Sequence, residues 1–175
     1  MDIIKGDIRI RNAGEADCEQ LAAWWNDGVV MVHAGFPLGL GTTAEKVRED
    51  LAADSDAVGR RLIIEYKGSP IGEMNYRNMG NRTAEIGIKI CDASFQEKGL
   101  GRVILSLFIK ELLSMGYSKI ILDTNLKNLR AQHVYEKLGF RRLRVNIDSW
   151  EDQLGVMQSS VDYELIPEDF RDYSG

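Results

Sequence analysis

No run of eighteen apolar residues occurs in this chain of 175 residues, so nothing in it reads as a membrane-spanning helix. The opening Met1-Asp2-Ile3-Ile4-Lys5 lacks the layout of a signal peptide, and a soluble, cytoplasmic protein with no membrane partner is expected. Cysteine is scarce: Cys18 and Cys91 cannot make a disulfide framework or a zinc site, and Cys91 closes an apolar strand as a small hydrophobe. With only His33 and His133 as histidines, no metal site is expected. Positive charge is not in excess, the net charge being −5, which argues against nucleic acid as a partner. Linkers, repeats and low-complexity segments are also missing. One domain over residues 1–175 is therefore expected, with its core at about 6–166 and a frayed polar tail from Pro167 to Gly175.

Hydrophobic residues make up 44% of the chain, enough for a real core. Asp7 to Arg11 alternates as a first strand, and Glu15 to Asn26 carries Leu21, Trp24 and Trp25 at helical spacing. Asp27 to Gly41 is glycine-rich and reads as a loop with one helical turn. Thr42-Thr43-Ala44-Glu45 is a capping box opening a helix through Ala53. Strands follow at Arg61 to Tyr66 and Ile71 to Asn78 around the turn Lys67-Gly68-Ser69-Pro70. Ala84 to Ile90 is a strand, Val103 to Met115 a buried helix, and Ile120 to Thr124 a strand. Asn128 to Phe140 is a short helix ending at Gly139. Phe140 to Ile147 and Val156 to Leu165 close the chain as strands. This order predicts an α/β or α+β sandwich with a mixed, mainly antiparallel sheet.

The most informative stretch is Gln96-Glu97-Lys98-Gly99-Leu100-Gly101-Arg102, set between a strand and a helix start. Unpaired N–H groups and the helix dipole at such a junction attract anions. Gly99 and Gly101 leave room for a phosphate to approach the backbone, with Lys98 and Arg102 beside it. A diphosphate is the natural ligand. An NTPase P-loop is excluded because no Gly-Lys-Ser/Thr ending follows. A dinucleotide fingerprint is excluded because Ile104 stands where the third glycine would be.

Downstream, residues 128–140 follow the pattern Asn-x-x-Ala-x-x-x-Tyr-x-Lys-x-Gly-Phe. With Gln-x-x-Gly-x-Gly one strand earlier, this resembles the GNAT superfamily of acyl-CoA-dependent N-acetyltransferases, over roughly residues 6–166 with the specific motifs in 84–140. The resemblance implies a GNAT-like acyl-CoA N-acyltransferase fold and acetyl-CoA as cosubstrate. An amine would attack the thioester carbonyl through a tetrahedral intermediate, and CoA would leave as a thiol. It further implies that the backbone at Gln96, Glu97, Lys98, Gly99, Leu100, Gly101 and Arg102 grips the diphosphate. Ile88, Lys89 and Ile90 would line the pantetheine arm, Ile88 and Ile90 through their main chain, where two parallel strands splay. Asn128 would contact CoA. Gly87, inside the strand, suggests a bulge or a close backbone approach that helps to open the gap.

Tyr135 matches the family's tyrosine, and a phenol, protonated at pH 7, can supply a proton to the departing thiolate. Glu85 lies where many members carry the carboxylate that takes the amine's proton, with Glu73 on the preceding strand as the alternative. His133, two residues from Tyr135, falls on another helix face and reads as surface.

The acceptor is a primary amine, small molecule or peptide. Its pocket lies in the first helices and last strands, where Trp25, Glu73 and Trp150 are the candidate contacts. The Trp-Trp-Asn-Asp run at 24–27 and the Tyr-Glu-Leu run at 163–165 resemble the branch holding ribosomal-protein alanine acetyltransferases and small-molecule relatives. Paired tryptophans are also ordinary core anchors. A small-molecule amine is the expected acceptor. A protein N-terminal or lysyl acetyltransferase and a non-catalytic acyl-CoA-binding module are the alternatives, and a homodimer is left open.

Overall fold

The computed structural model describes all of residues 1–175. Eight strands form one sheet: β1 (Asp2–Lys5), β2 (Ile8–Asn12), β3 (Gly59–Tyr66), β4 (Ser69–Asn78), β5 (Thr83–Ile90), β6 (Lys119–Asn125), β7 (Arg141–Glu151) and β8 (Met157–Leu165). Their spatial order is β1-β2-β3-β4-β5-β6-β8-β7. Every neighbouring pair is antiparallel except β5 with β6. The mixed, mainly antiparallel sheet expected from the sequence is therefore present.

Five α-helices cover it: α1 (Cys18–Asn26), α2 (Gly28–Met31), α3 (Ala44–Ala52), α4 (Leu100–Ser114) and α5 (Leu129–Leu138). None is long and apolar enough to cross a membrane. Strand alternation sorts the side chains to two faces. On one face Ile10, Leu62, Ile64, Met74, Tyr76, Ala84, Ile120 and Val161 are fully buried or nearly so. They pack with Ile104, Leu105, Phe108 and Leu112 of α4 and Leu138 of α5. Each such aliphatic side chain stabilises the fold by roughly 1.5–3 kcal/mol. On the other face Ile63 meets Cys18, Leu21, Ala22 and Val47, a smaller cluster that seats α1 and α3. The rest of that second face is polar.

Helix ends follow their local chemistry. Thr43, not Thr42, caps α3, its hydroxyl accepting from the Lys46 amide at 3.2 Å. Asn128 caps α5 by accepting from the Ala131 amide at 3.3 Å. Gly139 ends α5 at φ 99°, and a Cβ there would stand 1.9 Å from the Asp169 carbonyl oxygen, so only glycine fits.

Some boundaries differ from the sequence reading. The β3–β4 turn is tighter than expected, just Lys67 and Gly68 at φ 52° and 80°, which frees Ser69 and Pro70 to begin β4. Gly87 does not sit in a bulge, because β4 and β5 keep continuous register from Gly72↔Ile90 to Asn78↔Ala84. It instead clears the Asn75 amide, which a Cβ at 87 would approach to 2.9 Å.

Candidate active site

The parallel ladder of β5 and β6 is short: Thr83↔Lys119, Ala84↔Ile120 and Glu85↔Ile121. Beyond Glu85 the two strands part, β5 running on to Ile90 and β6 to Asn125 without pairing. This leaves a V-shaped gap along a β5 edge where the Ile88 main chain is free on the side away from β4, while the Ile90 carbonyl accepts from Gln96. The splay, and not a bulge at Gly87, opens the sheet.

At the mouth of the gap, α4 begins. Gly99 takes φ 75° at its N-cap. The amides of Gly99, Leu100, Gly101 and Arg102 have no hydrogen-bond partner in the protein. A Cβ at Gly101 would meet nothing within 4 Å. The cradle is thus open, electropositive through the helix dipole, and accessible to an anion. Gln96 braces it: its amide donates to the Ile90 carbonyl at 2.8 Å and accepts from Arg130 at 3.0 Å. Arg130 also lies 3.7 Å from Glu97. The Lys98 ammonium sits 5.3 Å from the Phe95 ring centre and the Arg102 guanidinium 5.0 Å from that of Tyr173. Both cations therefore flank the cradle from its rim.

Tyr135 lies on α5 in the core cluster between that helix and the sheet. It is 7% exposed, packed edge-on against Phe140 at 5.8 Å and tilted against Tyr163 at 5.8 Å. No protein group bonds its hydroxyl, whereas the Tyr163 hydroxyl donates to Glu136 at 2.9 Å. Burial, then the negative charge of Asp123, raises the Tyr135 pKa, so the hydroxyl is protonated at neutral pH. Asn128 is placed at the start of the same helix, and His133 on it is exposed, as read from the sequence.

The candidate carboxylates differ in their surroundings. Glu85 accepts from Arg77 Nε at 2.9 Å and also pairs with its Nη2. Glu73 is 3% exposed, and one oxygen accepts from both Trp25 Nε1 and Lys89 Nζ at 3.0 Å. It is a clamp between α1 and the sheet. Lys89 thus turns its ammonium to Glu73, and ladder register directs its main chain to β4 as well. Cys91 nearby is pushed up to about 12 by burial and by Glu73, so its thiol is inert.

Trp150 does not stand free in the cleft. Its ring covers Gly35, where a Cβ would come within 2.3 Å of it. Gln153, on the same hairpin between β7 and β8, donates its amide N–H to the Gly35 carbonyl at 2.8 Å. Its side chain accepts from Leu38 and donates to Gly39, each at 2.9 Å. The hairpin is thereby strapped onto the loop after α2 and walls one end of the polar face. His33, exposed on that loop, has its pKa lowered by partial burial and by the Arg130 charge.

Sequence reasoning passed over Asp123. It follows Ile121 by two residues on β6 and so shares the polar face with Glu85. Solvent reaches it along the cleft, yet the surrounding walls, with Glu85 and Asp162, raise its pKa, while Arg77 lowers it. A polar residue after three apolar ones in a strand gives no distinguishing local signal.

Residues 7–141 match the family described as Acetyltransferase (GNAT) domain. Over 141 residues the chain is 28% identical to a mycothiol acetyltransferase of Propionibacterium freudenreichii subsp. shermanii, covering 76% of this chain and 43% of that protein. It spans less than half the length of the curated relatives it matches. Its fold superposes on the spermidine N-acetyltransferase of Vibrio cholerae solved with CoA and spermine, at TM-score 0.81 and 20% identity, over 94% of this chain and 98% of that one. It likewise superposes on a ribosomal L7/L12 alpha-N-protein acetyltransferase solved with coenzyme A, at TM-score 0.83 and 16% identity, over 95% and 98%.

Proposed function

Since the chain belongs to the GNAT acetyltransferase family, we propose that it transfers an acetyl group from acetyl-CoA to a primary amine of a small molecule. The observation that carries this reading is the alignment of one strand gap with two unsatisfied groups. The amides of residues 99–102 are free at the start of α4, and the Tyr135 hydroxyl on α5 has no protein partner. The amides, with Gln96 to Arg102 around them, suit the diphosphate. The open β5 edge at Ile88 suits the pantetheine amides, and Asn128 lies at the far wall.

In this reading the cosubstrate supplies the activated acetyl group. Tyr135 donates a hydrogen bond and then its proton to the sulfur as the carbon–sulfur bond breaks. Glu85, fixed by Arg77, contributes negative charge beside the amine. Glu73, Trp25 and Lys89 form the floor on which the amine rests. The strapped hairpin carrying Trp150 favours a compact acceptor over an extended peptide, because it closes the end of the cleft through which a chain would leave.

The test is thiol release from acetyl-CoA with a panel of primary amines and N-terminal peptides. Turnover with small amines and none with peptides supports the reading. Preference for peptides transfers it to the protein acetyltransferase alternative, and acetyl-CoA binding without any turnover transfers it to a binding module.

A further inference from the structure

The polar stretch from Pro167 to Gly175, expected to fray, instead turns back and docks along α4. The Arg171 amide donates to the Leu138 carbonyl at the end of α5, at 2.9 Å. Arg102, Ser106 and Lys110 recur every fourth residue of α4 and so form one stripe. Each takes a partner from residues 172–174. Lys110 pairs with Asp172 at 2.9 Å and donates to the Ser174 hydroxyl at 3.4 Å. The Ser106 hydroxyl, fully buried, accepts from the Tyr173 amide at 2.9 Å. The Arg102 guanidinium lies over the Tyr173 ring, 5.0 Å from its centre. Asp172 closes the turn by accepting from the Ser174 amide at 2.7 Å and from its hydroxyl at 2.6 Å. Those bonds, together with Lys110, hold the Asp172 pKa down at about 2, so this carboxylate is ionised at any working pH.

Arg102 is ill-suited to its place in the helix. It stands in the first turn, three residues past the Gly99 N-cap, where the helix dipole disfavours a cation, and no acidic residue shares that turn. Its side chain has neither an ion pair nor a hydrogen bond within the protein, and it rests on the Tyr173 ring. Its Nη2 lies 3.8 Å from the point where a Cβ on Gly99 would stand, so the guanidinium is held beside the free amides of residues 99–102. A cation kept without a carboxylate, against the dipole and next to open N–H donors, is arranged for an incoming anion.

We propose that Tyr173 is a positioning residue for the cosubstrate: its ring, seated by Ser106 and by the Asp172–Lys110 pair, holds the Arg102 guanidinium at the cradle for a phosphate of acetyl-CoA. This rests on the acetyl-CoA reading of that cradle. A ring does here what a carboxylate could not. It attracts the guanidinium through its π face without neutralising it. An arriving phosphate therefore meets the full fork of N–H donors with no ion pair to break. The ring also restricts the guanidinium beforehand, so less side-chain freedom is lost on binding. Tyr173 is exposed and lies outside the buried core, so its ring can be removed with the fold left in place.

Calorimetric titration with acetyl-CoA reads the effect without any acceptor amine. Tyr173→Ala is expected to raise Kd by about three- to tenfold, the cost of ordering one long side chain on binding. Tyr173→Phe keeps the ring and should bind as wild type. Tyr173→Leu keeps the bulk and the amide bond to Ser106 but loses the π face, and should match alanine, which preserves the test if the alanine variant folds poorly. An Arg102→Ala background separates positioning from a merely structural role: there, Tyr173→Ala should cost nothing further. Wild-type affinity in a folded Tyr173→Ala or Tyr173→Leu, a loss in Tyr173→Phe equal to that of alanine, or the same loss from Tyr173→Ala with and without Arg102 overturns the proposal alone. Failure of the wild type to bind acetyl-CoA overturns the reading of the cradle, and this inference with it.

Discussion

Replacing Glu73 by glutamine tests the clamp that holds α1 over the cleft. The carboxylate side chain is 4% exposed, its Lys89 partner 30%, and a single oxygen serves both Lys89 and the Trp25 indole. Removing one member of a fully buried ion pair costs about 3–5 kcal/mol, because the other charge is left stranded. Lys89 keeps access to water, which takes up part of that cost. The glutamine oxygen still accepts from Trp25, so that bond, about 1 kcal/mol, is retained. The expected loss is therefore about 2 kcal/mol, which lowers the melting temperature of a domain this size by about 4–8 °C.

Urea unfolding followed by tryptophan fluorescence measures the loss, and a double-variant cycle isolates the pair. Lys89→Met strands the less exposed group and is expected to cost more, about 3 kcal/mol. The Glu73→Gln/Lys89→Met protein should lie well above the sum, with a coupling of about 1–2 kcal/mol. Acetyl-CoA affinity is expected to hold in all three, since the Lys89 main chain and ammonium are both directed to β4. A Glu73→Gln variant within about 0.5 kcal/mol of wild type, with strict additivity in the cycle, refutes the clamp. The apolar cluster around Leu21 and Ile63 would then anchor α1 unaided.

Gly101→Val should raise the Kd for acetyl-CoA at least about tenfold by calorimetry while thermal stability holds, because the new side chain enters ligand space and touches no protein atom. Tyr135→Phe should lower kcat by about 10- to 1000-fold with unchanged acetyl-CoA affinity and unchanged stability, since the hydroxyl has no protein partner to lose; full turnover with chemistry rate-limiting would remove it from the mechanism. Glu85→Gln should depress kcat/KM at neutral pH and be partly rescued at high pH, where the amine loses its own proton; a wild-type pH profile in the folded variant would remove Glu85 as proton acceptor.

Elements with a strong local signal were legible in the sequence. The α5 motif ending at Gly139 and the strand–turn–helix around Gly99 lie within one to three residues of the structure. What was missed depends on partners far along the chain. Strand β1 is mostly exposed and lies at the sheet's edge, so Asp2 to Lys5 carries no alternation to read. Strand β7 runs to Glu151, beyond the expected Ile147. Asp148 adopts φ 45° there and the register slips between Asn146 and Trp150, an irregularity that interrupts the local pattern. Trp150 read as a candidate acceptor contact because nothing nearby in sequence shows that Gly35 lies beneath it.

The carboxylates of the polar sheet face show why Asp123 could not be found from its own neighbourhood. Glu65 has Arg11 at 2.7 Å, Glu73 has Lys89 at 3.0 Å, and Glu164 has Arg141 at 3.0 Å. Arg144 stands 2.9 Å from Asp162, and Arg77 holds Glu85. Four of these pairs, Glu73–Lys89, Glu85–Arg77, Glu164–Arg141 and Asp162–Arg144, are opposed residues of their ladders, and Glu65 reaches Arg11 diagonally across β2. A sequence reading that lacks strand register sees six acidic residues with many basic ones and cannot tell which is left over. Register decides it: β8 opposes Asp123 with Asp162, and Lys119, the basic residue of β6 on the same face, pairs with Glu164 at 3.5 Å.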